Sequence, residues 1–557
     1  MPSLQPASLL NDLRSGKFRA YMPYVLGLIA LFAILPHFQL FWRSNDDVAM
    51  SLIADGGGQV MTPGPHLTLT NIAWGYLVYG VHLLGTAHAY ATVTYLALAA
   101  SYLTLLSVFV RRDVSHWAVA TLLLVVYLPT LVYAQHTLVA GYLAFAGIVL
   151  LCHSAETGSL RGGWLACLLL VLSSLVRWDE TAFVVLVAVP FCLKYLTIAW
   201  NSGLRRRWLW MLGTACGAGL AFLVLDFLTF GLGEWHEFAA TYGYVMALSD
   251  FKLGPYLLAH PALLVNSGYS PLDIHLFSTW FYCDTAVFTP ERIGPLLDQV
   301  PLWQRLIHNA HNYLVIPDLL QTEELAILLY GLVAIGIFQP RRLQLAASVA
   351  VLVVLMFVLV MLGRPLIVRV YLPAATALLM FAALELRIKR AYLCIALVAA
   401  LLAINLPHLV KMHEENVAQQ EKSARVRERT CEWPADALVI TWGSGYDYTL
   451  NYLPFGGDGV CHLNNYSLGE FSLAPFALEH LHKYTGGKDL VPALLAGQGF
   501  DFIAAPDDLG MLQRYMQDHY GAQLVIEREH SRVGMRVSHV RVVVPAPSPA
   551  PVKPVKP

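Results

Sequence analysis

Residues 21–47 read YMPYVLGLIALFAILPHFQLFWRSNDD, an apolar run that ends in two adjacent carboxylates. The run from Tyr21 to Phe41 has the length of roughly 20 residues that a helix needs to cross a bilayer. Asp46 and Asp47 follow directly after the short stretch Trp42-Arg43-Ser44-Asn45. Acidic side chains at the end of a span are costly to bury and usually have a function. The stretch therefore predicts a membrane fold with a polar site beside its first span.

The composition extends this prediction to most of the chain. Of 557 residues, 57% are hydrophobic and 13% are charged, whereas about 25% of the residues in a soluble domain are charged. No basic stripe with interleaved aromatic residues is present, so nucleic-acid binding is not expected. Residues 1–20 are basic and lead into the first span without a small-residue cleavage site, which predicts an uncleaved signal-anchor.

Apolar segments predict a multi-span α-helical membrane protein with about eleven transmembrane helices. The predicted spans are 21–41, 88–110, 115–134, 138–153, 163–178, 181–199, 208–230, 324–339, 343–362, 371–386 and 391–410. The segment 67–85 is also apolar but contains Asn71 and His82. We expect it to lie at the interface or to re-enter the membrane.

The distribution of basic residues predicts the orientation of these spans. One set of loops carries Arg14, Lys17, Arg19, Arg111, Arg112, Arg161, Arg205, Arg206, Arg207, Arg341, Arg342, Arg387, Lys389 and Arg390. By the positive-inside rule, these loops and residues 1–20 are cytoplasmic, and the chain after residue 410 lies outside. The opposite short loops carry only Arg43, Arg177, Arg364 and Arg369. These four arginines depart from the rule, so we expect them to serve something other than topology.

Long segments are predicted to lie outside the membrane, both within and after the membrane module, which we define as residues 21–410. The predicted outer loops are 42–87 and 231–322. Residues 411–544 alternate β-like apolar runs with helical ones, which predicts a small extracytoplasmic α/β domain. Residues 545–557 are rich in proline and are predicted to be a disordered or extended tail.

Cysteine usage is consistent with an outer domain. Cys431 and Cys461 fall in the predicted α/β domain, where an oxidising compartment would let them pair, although spacing alone leaves the disulfide open. No cysteine pair has the spacing of a metal site, so zinc is not expected. Carboxylates could hold Mg²⁺ or Ca²⁺. The chain has no Asp-x-Asp motif and arginines can supply positive charge, so we expect no obligatory metal and no cofactor.

Polar side chains recur at the predicted outer ends of several spans. They are Asp46 and Asp47 after the first span, His136 after the third, Arg177, Asp179 and Glu180 after the fifth, and Arg364 and Arg369 after the ninth. Since they share one depth, they can line one cavity. A carboxylate can act as general base toward a hydroxyl, and the forked donors of arginine match phosphate oxygens. The pattern predicts chemistry on a sugar that is carried by polyprenyl phosphate.

Short motifs on this face resemble those of the GT-C glycosyltransferases, over roughly residues 1–410. Asn45-Asp46-Asp47, followed by the segment 67–85, is similar to the acidic first loop and interfacial helices of that family. Arg177-Trp178-Asp179-Glu180 keeps the arginine and the acid of an Arg-Pro-acid-Gly motif but replaces its proline and glycine. Arg369-Val370-Tyr371-Leu372-Pro373 is similar to Arg-Tyr-x-x-Pro with a shifted tyrosine. Ala134-Gln135-His136-Thr137 keeps only the threonine of Gly-Leu-Glu-Thr.

The resemblance implies an inverting glycosyltransferase that uses a polyprenyl-phosphate sugar and an extracytoplasmic glycan, lipid or protein acceptor. It implies that a first-loop Asp is the general base, and of the two we favour Asp47, with Asp46 orienting the substrate. The predicted phosphate-binding residues are Arg369, Arg364 and Arg177, and the predicted substrate contacts are Asp179, Glu180, His136, His66 and Tyr371. The expected location is a bacterial inner membrane, with the site on the periplasmic face.

Other interpretations stay open. The two aspartates could only cap a helix, and Arg177 with Asp179 could be a local ion pair. A retaining mechanism would need Asp179 or Glu180 as nucleophile. A transporter or flippase of a lipid-linked glycan would use the same arginines, but no internal repeat is evident. A polysaccharide polymerase or ligase with a diphosphate donor would not need the early acidic pair.

Overall fold

The computed structural model describes residues 16–201, 203–265, 267–338, 340–364, 368–434, 436–456, 461–532 and 535–545. Residues 1–15 of the predicted cytoplasmic segment and 546–557 of the predicted tail lie outside this part of the chain.

Helices form most of the membrane module. Its first half contains α1 (Gly16–Ile34), α2 (Asn45–Asp55), α3 (Ile72–Leu83), α4 (Ala89–Val110), α5 (His116–Val132), α6 (His136–Thr157), α7 (Leu160–Asn201) and α8 (Arg205–Gly231). Helix α6 is the central one, since it is buried along almost its whole length and packs against α4, α7 and a later helix of the module.

The second half begins with short helices and returns to long ones. The short helices are α9 (His236–Ser249), α10 (Leu253–Ala259), α11 (Pro271–Ser278), α12 (Pro290–Asp298), α13 (Leu302–Asn309) and α14 (Ile316–Leu320). The longer ones are α15 (Glu323–Gly336), α16 (Arg342–Met361), α17 (Val368–Leu384) and α18 (Ala391–Cys431). Helix α17 is the later neighbour of α6.

Among the described residues, seven helices are long and apolar enough to cross a membrane, or eight if the bent pair Asn312–Leu320 and Glu323–Gly336 is one span. Each predicted span overlaps a helix of the structure or half of one, and the span 21–41 extends beyond the end of α1 at Ile34. The predicted spans 163–178 and 181–199 both fall in α7, which is broken at Arg177 by an extended backbone (φ −160°, ψ 104°). Helix α3 has 12 residues, too few for a hydrocarbon core of about 30 Å, so it fits the interfacial prediction for 67–85.

A short parallel pairing joins two distant parts of the membrane module. Strand β1 (Phe41–Trp42) pairs with β2 (Tyr133–Ala134), and Arg43 then donates its backbone N–H to the Ala134 carbonyl at 3.1 Å. The pairing sets the start of α2 beside the start of α6. It therefore positions the acidic pair next to the residues that open the central helix.

The C-terminal part contains a five-stranded mixed sheet with helices. The strands are β3 (Val439–Trp442), β4 (Asn465–Leu468), β5 (Phe500–Ile503), β6 (Gln523–Arg532) and β7 (Met535–Val543), in the order β4-β3-β5-β7-β6. Strands β4, β3 and β5 are parallel, whereas β7 is antiparallel to both of its neighbours. The helices are α19 (Tyr448–Asn451), α20 (Pro475–Thr485), α21 (Leu490–Leu495) and α22 (Pro506–Tyr520).

No linker separates the membrane module from the C-terminal domain. The sequence predicts a boundary at residue 410, but α18 continues through it for 41 residues in total. Its first half is apolar, and its second half, from Lys411 to Arg429, is charged. The predicted boundary at residue 410 therefore falls inside a continuous helix, at its change from apolar to charged composition.

The end of α18 is tied to the sheet by a disulfide between Cys431 and Cys461, 30 residues apart in sequence. A crosslink of this length stabilises mainly by restricting the unfolded chain, by about 3–4 kcal/mol.

Replacing both cysteines by serine should lower the free energy of unfolding of the domain by about that amount, in urea titrations of the full-length protein in detergent. Cys216→Ser, at an exposed free cysteine, is the control. Equal stability of both variants would contradict the prediction.

Candidate functional site

The two neighbouring aspartates of α2 face different surroundings. Both lie in the first turn of the helix, after an extended Ser44 (φ −139°, ψ 156°). Carboxylates are favoured there by the positive end of the helix dipole. Successive side chains on a helix point about 100° apart. As a result Asp47 is 0% exposed, whereas the side chain of Asp46 is 26% exposed and lines two cavities.

Asp47 is held by hydrogen bonds inside the protein. Its Oδ2 accepts from the Ser44 hydroxyl at 2.6 Å, and its Oδ1 accepts from the Tyr90 hydroxyl at 2.9 Å and from the His136 backbone N–H at 2.8 Å. Nδ1 of the His136 ring lies 3.3 Å from the same oxygen. Burial alone would raise the pKa of Asp47, but the His136 ring and the hydrogen bonds from Ser44 and His136 outweigh it and hold the pKa below its ordinary value.

A chain of contacts continues from Asp47 to the break in α7. Arg177 lies at that break, and its Nη1 is 3.1 Å from Nε2 of His136 and donates to the Thr137 hydroxyl at 2.9 Å. Because Nε2 accepts from the guanidinium, Nδ1 is the His136 nitrogen that donates to Asp47. The break thus lets an arginine reach the start of α6 from the middle of a hydrophobic helix.

Most of the predicted site residues meet in one cavity of about 380 Å³, which we call the arginine cavity. The predicted residues that line it are Asp46, His136, Arg177, Asp179, Arg364 and Arg369. They come from α2, α6, α7 and α17, and Arg364 follows the end of α16. The structure therefore brings together side chains that are spread over more than half of the sequence.

The arginines of this cavity have partners but keep exposed surface. Nη2 of Arg369 is 3.4 Å from Oδ2 of Asp46. With the Gln135 amide oriented so that its oxygen faces the guanidinium, that oxygen accepts from Nη1 of Arg369 at 2.9 Å and from Nε at 3.3 Å. Arg364 is paired with Asp250. The Arg369 side chain is 26% exposed and that of Arg364 is 19% exposed. Both guanidiniums can therefore still reach a ligand in the cavity.

Several other predicted residues lie elsewhere. Glu180 and Tyr371 are 2% and 1% exposed, and the arginine cavity does not include them. His66 stacks on Trp235 at 4.8 Å between ring centroids, and its burial lowers its pKa. Arg43 forms an ion pair with Glu324 at 2.5 Å, outside the arginine cavity. The predicted substrate contacts Glu180, Tyr371 and His66 thus lie outside this cavity. Glu180 and Tyr371 are buried in the protein, and half-buried His66 lines a separate cavity beside Trp235.

Glu470, which was not predicted from the sequence, closes the arginine cavity from the C-terminal domain. It follows β4, and Tyr242 of α9 donates a hydrogen bond to its carboxylate. Burial, with the nearby charges of Asp46 and Asp250, raises the pKa of Glu470 to about 8, against the opposing hydrogen bond from Tyr242 and the charge of Arg177. No local motif marks this residue, since a single Glu in Gly-Glu-Phe is typical of an exposed loop.

The pKa of Glu470 predicts a pH dependence of stability. Between the ordinary pKa of 4.5 and the folded value of about 8, the folded state holds a proton that the unfolded state has released, so stability falls as the pH rises through this window. In Glu470→Gln, the thermal midpoint should depend less on pH between pH 5 and 8 than in the wild type, as measured by scanning fluorimetry of the full-length protein. Glu479→Gln, at an exposed position, is the control and should leave the slope unchanged. An equal slope in Glu470→Gln and wild type would contradict the prediction.

A second cavity, of about 290 Å³, lies between α2 and the C-terminal sheet, and we call it the α2–sheet cavity. Asp46, Trp280 and Glu470 line both cavities. These three side chains therefore mark the place where the two cavities adjoin.

The positive charge at this junction comes from arginine side chains. Within the described ranges, no group of three or more His, Cys, Asp or Glu side chains is placed to hold a metal ion. Arg177, Arg364 and Arg369 line the arginine cavity together with the acids Asp46, Asp179, Asp226, Asp250 and Glu470. The guanidiniums are the groups in it that can bind an anion.

No protein-family model and no curated protein matches this sequence. Among solved structures, the chain is similar to ArnT from Cupriavidus metallidurans bound to undecaprenyl phosphate, with 14% identity and a TM-score of 0.37 over 96% of this chain and 100% of that one. ArnT in the apo state matches with the same identity and TM-score over 93% and 97%. At this identity and TM-score, the likeness carries no argument about activity, substrate or residue roles.

Proposed function

We propose that the protein is an inverting glycosyltransferase. It transfers a sugar from a polyprenyl-phosphate donor to a hydroxyl of a glycan, lipid or protein acceptor. The observation that carries this proposal is the arginine cavity, where three arginines and an exposed carboxylate from separate helices adjoin a second cavity. An anion-binding pocket beside a candidate base is the arrangement that this transfer requires.

In the proposed reaction, Arg177, Arg364 and Arg369 bind the donor phosphate. Asp46 takes the proton of the acceptor hydroxyl, and the acceptor oxygen attacks the anomeric carbon from the face opposite the phosphate. The bond between that carbon and the phosphate oxygen breaks, so polyprenyl phosphate leaves with its added negative charge facing the guanidiniums. Arginines match phosphate oxygens with paired donors, and they supply the charge that a divalent metal supplies in other phosphate sites.

The geometry favours Asp46 over Asp47 as the base, the reverse of the preference from sequence. A general base must come within hydrogen-bond reach of the proton that it takes. Asp47 is fully buried and accepts from Ser44, Tyr90 and His136. Asp46 lines both cavities. We therefore assign proton transfer to Asp46 and the positioning of α2 to Asp47.

Reconstitution into liposomes tests the proposed function against its alternatives. Polyprenyl phosphate that carries a radiolabelled sugar is added to the purified protein, and both new glycosidic bonds and transbilayer movement of the label are measured. We expect transfer to water or to added acceptor, with an inverted anomeric configuration. Movement without bond formation would favour a flippase, retention of configuration would favour Asp179 or Glu180 as nucleophile, and activity only with a diphosphate donor would favour a polymerase or ligase.

The proposed orientation places the site on the extracytoplasmic face of a bacterial inner membrane. Asn45→Cys, next to Asp46 on an exposed position, should react with a membrane-impermeant maleimide in intact cells. Gly203→Cys, in the turn between α7 and α8, should react only after the cells are permeabilised. Labelling above that of the unsubstituted protein is the measurement, and the opposite pattern would place the site in the cytosol.

A further inference from the structure

Trp280 occupies a backbone position that a tryptophan rarely adopts. Among the described residues, two that are not glycine have positive φ: Lys252 at 56° and Trp280 at 71°. Trp280 follows the end of α11, where its N–H donates to the Phe277 carbonyl at 3.2 Å and the next N–H donates to the Leu276 carbonyl at 2.9 Å. These two bonds define a Schellman motif, whose left-handed position is usually glycine.

A tryptophan at this position is strained, so its surroundings must hold it there. A bulky residue in the left-handed region is strained and persists only where the surroundings impose it. The next two residues, Phe281 and Tyr282, are 0% exposed in the core shared with the C-terminal domain. Trp280 itself is only partly buried and lines both the arginine cavity and the α2–sheet cavity. The strained backbone thus directs an aromatic side chain to the junction of the two cavities.

The α2–sheet cavity differs from the arginine cavity in charge. Its acidic lining residues are Asp46 and Glu470, and Glu470 holds a proton at neutral pH because burial raises its pKa to about 8. No Lys, Arg or His lines it within the described part of the chain. Its polar groups are otherwise amides and hydroxyls, among them Asn45, Gln59 and Ser467. Juxtaposed like charges oppose binding, so the Asp46 carboxylate, in a lining without cations, disfavours an anionic ligand. Neutral donors and acceptors beside an aromatic side chain suit an uncharged polyhydroxyl ligand.

We propose that the α2–sheet cavity is the acceptor subsite for an uncharged sugar and that Trp280 is the surface on which this sugar packs. This inference rests on the proposed function, since it makes Asp46 the point where the acceptor hydroxyl meets the donor. The sugar ring lies against the Trp280 side chain, the amide and hydroxyl groups bind its other hydroxyls, and its reacting hydroxyl points at Asp46. The phosphate of the donor stays in the arginine cavity.

A glycan array tests the class of ligand. Full-length protein in detergent is applied to arrayed oligosaccharides that are neutral, uronate-bearing or sulfated. We expect binding to neutral glycans and at least tenfold weaker binding to their uronate-bearing or sulfated counterparts. Binding to the anionic glycans, or to none of the neutral ones, would overturn the inference. Ser467→Lys, which adds a positive charge to the cavity lining, should reduce the discrimination between neutral and anionic glycans.

Substitution of the strained residue tests its role. Trp280→Gly should keep the thermal midpoint of the wild type, because glycine is the favoured residue in this conformation, and should lose binding to neutral glycans tenfold or more. Trp280→Tyr should restore part of the binding. Lys252→Gly, at the other strained position and exposed, is the matched control and should bind as the wild type does. Wild-type glycan binding by Trp280→Gly would overturn the role of Trp280.

Hydrolysis of the labelled donor separates this inference from the proposed function. Wild-type protein that releases no sugar to water or to any acceptor contradicts the proposed function itself. A loss of neutral-glycan binding in Trp280→Gly that is at least tenfold larger than its loss of donor hydrolysis supports an acceptor role. A parallel loss of donor hydrolysis and glycan binding would place Trp280 with the donor instead and would overturn the inference.

Discussion

Asp46→Asn should reduce sugar transfer by about 10²–10⁴-fold, the range that removal of a general base typically causes. The substitution keeps the size of the side chain and removes its ability to take the acceptor proton. Its effect on folding should be small, because the ion pair between Asp46 and Arg369 is partly exposed at 3.4 Å and such pairs contribute little to stability. Initial rates with labelled donor and the thermal midpoint are the two measurements.

Asp47→Asn is the matched comparison, since the two residues are adjacent and the substitutions are identical. The amide introduced by Asp47→Asn would place an N–H₂ group among the donors of Ser44, Tyr90 and His136, in a site that is 0% exposed. Leaving buried donors unpaired costs about 1–3 kcal/mol each, so this variant should lose stability as well as activity. Full stability with loss of activity in Asp47→Asn, together with an active Asp46→Asn, would reverse the assignment.

Arg369→Gln should lower kcat/KM for the donor by about 10²–10³-fold, the effect of removing one preorganised donor from a developing negative charge. Arg369 lines the arginine cavity, is 26% exposed and approaches Asp46, so it is placed to contact both the phosphate and the base. Arg369→Lys keeps the positive charge but lacks the paired N–H donors of the guanidinium, so its kcat/KM should lie between those of Arg369→Gln and the wild type. Steady-state rates at varied donor concentration measure the effect.

Arg342→Gln provides the control for this substitution. Arg342 begins α16 and is exposed, whereas Arg364 and Arg369 follow the other end of that helix. It therefore tests whether any loss of arginine from the membrane module impairs the protein. Comparable losses in Arg342→Gln and Arg369→Gln would contradict a phosphate-binding role for Arg369.

Much of the fold is predictable from apolar segment length alone. Helices such as α4, α6 and α16 coincide with predicted spans because a bilayer requires a long run of apolar residues. The break in α7 at Arg177 also follows from sequence, since the motif there separates two apolar runs. The sequence also predicts a polar helical run from Lys411 to Arg429 directly after the last span, and the structure joins the two as α18.

The site is predictable on its membrane side and not on its domain side. Asp46, Arg177 and Arg369 are evident from sequence because acids and arginines at the ends of apolar runs are uncommon. Glu470 is not evident as a site residue, because an acid in a polar segment is ordinary. Trp280 stands in an aromatic-rich loop whose residues could contact sugars or form an interfacial belt, and only tertiary contacts bring both residues to the cavity. The choice between Asp46 and Asp47 depends on the helical phase of α2, which is set by the two-residue pairing of β1 with β2.

The continuous α18 has a mechanical consequence. At about 1.5 Å per residue, its 41 residues form a rod of roughly 60 Å, anchored in lipid at one end and clamped to the sheet by Cys431 at the other. Such a rod sets the height and rotation of Glu470 above the bilayer surface. One residue inserted into its charged half would turn the C-terminal domain by about 100° relative to the membrane module. The distance between Glu470 and the arginines of the cavity therefore depends on the length of this helix and on the thickness of the bilayer.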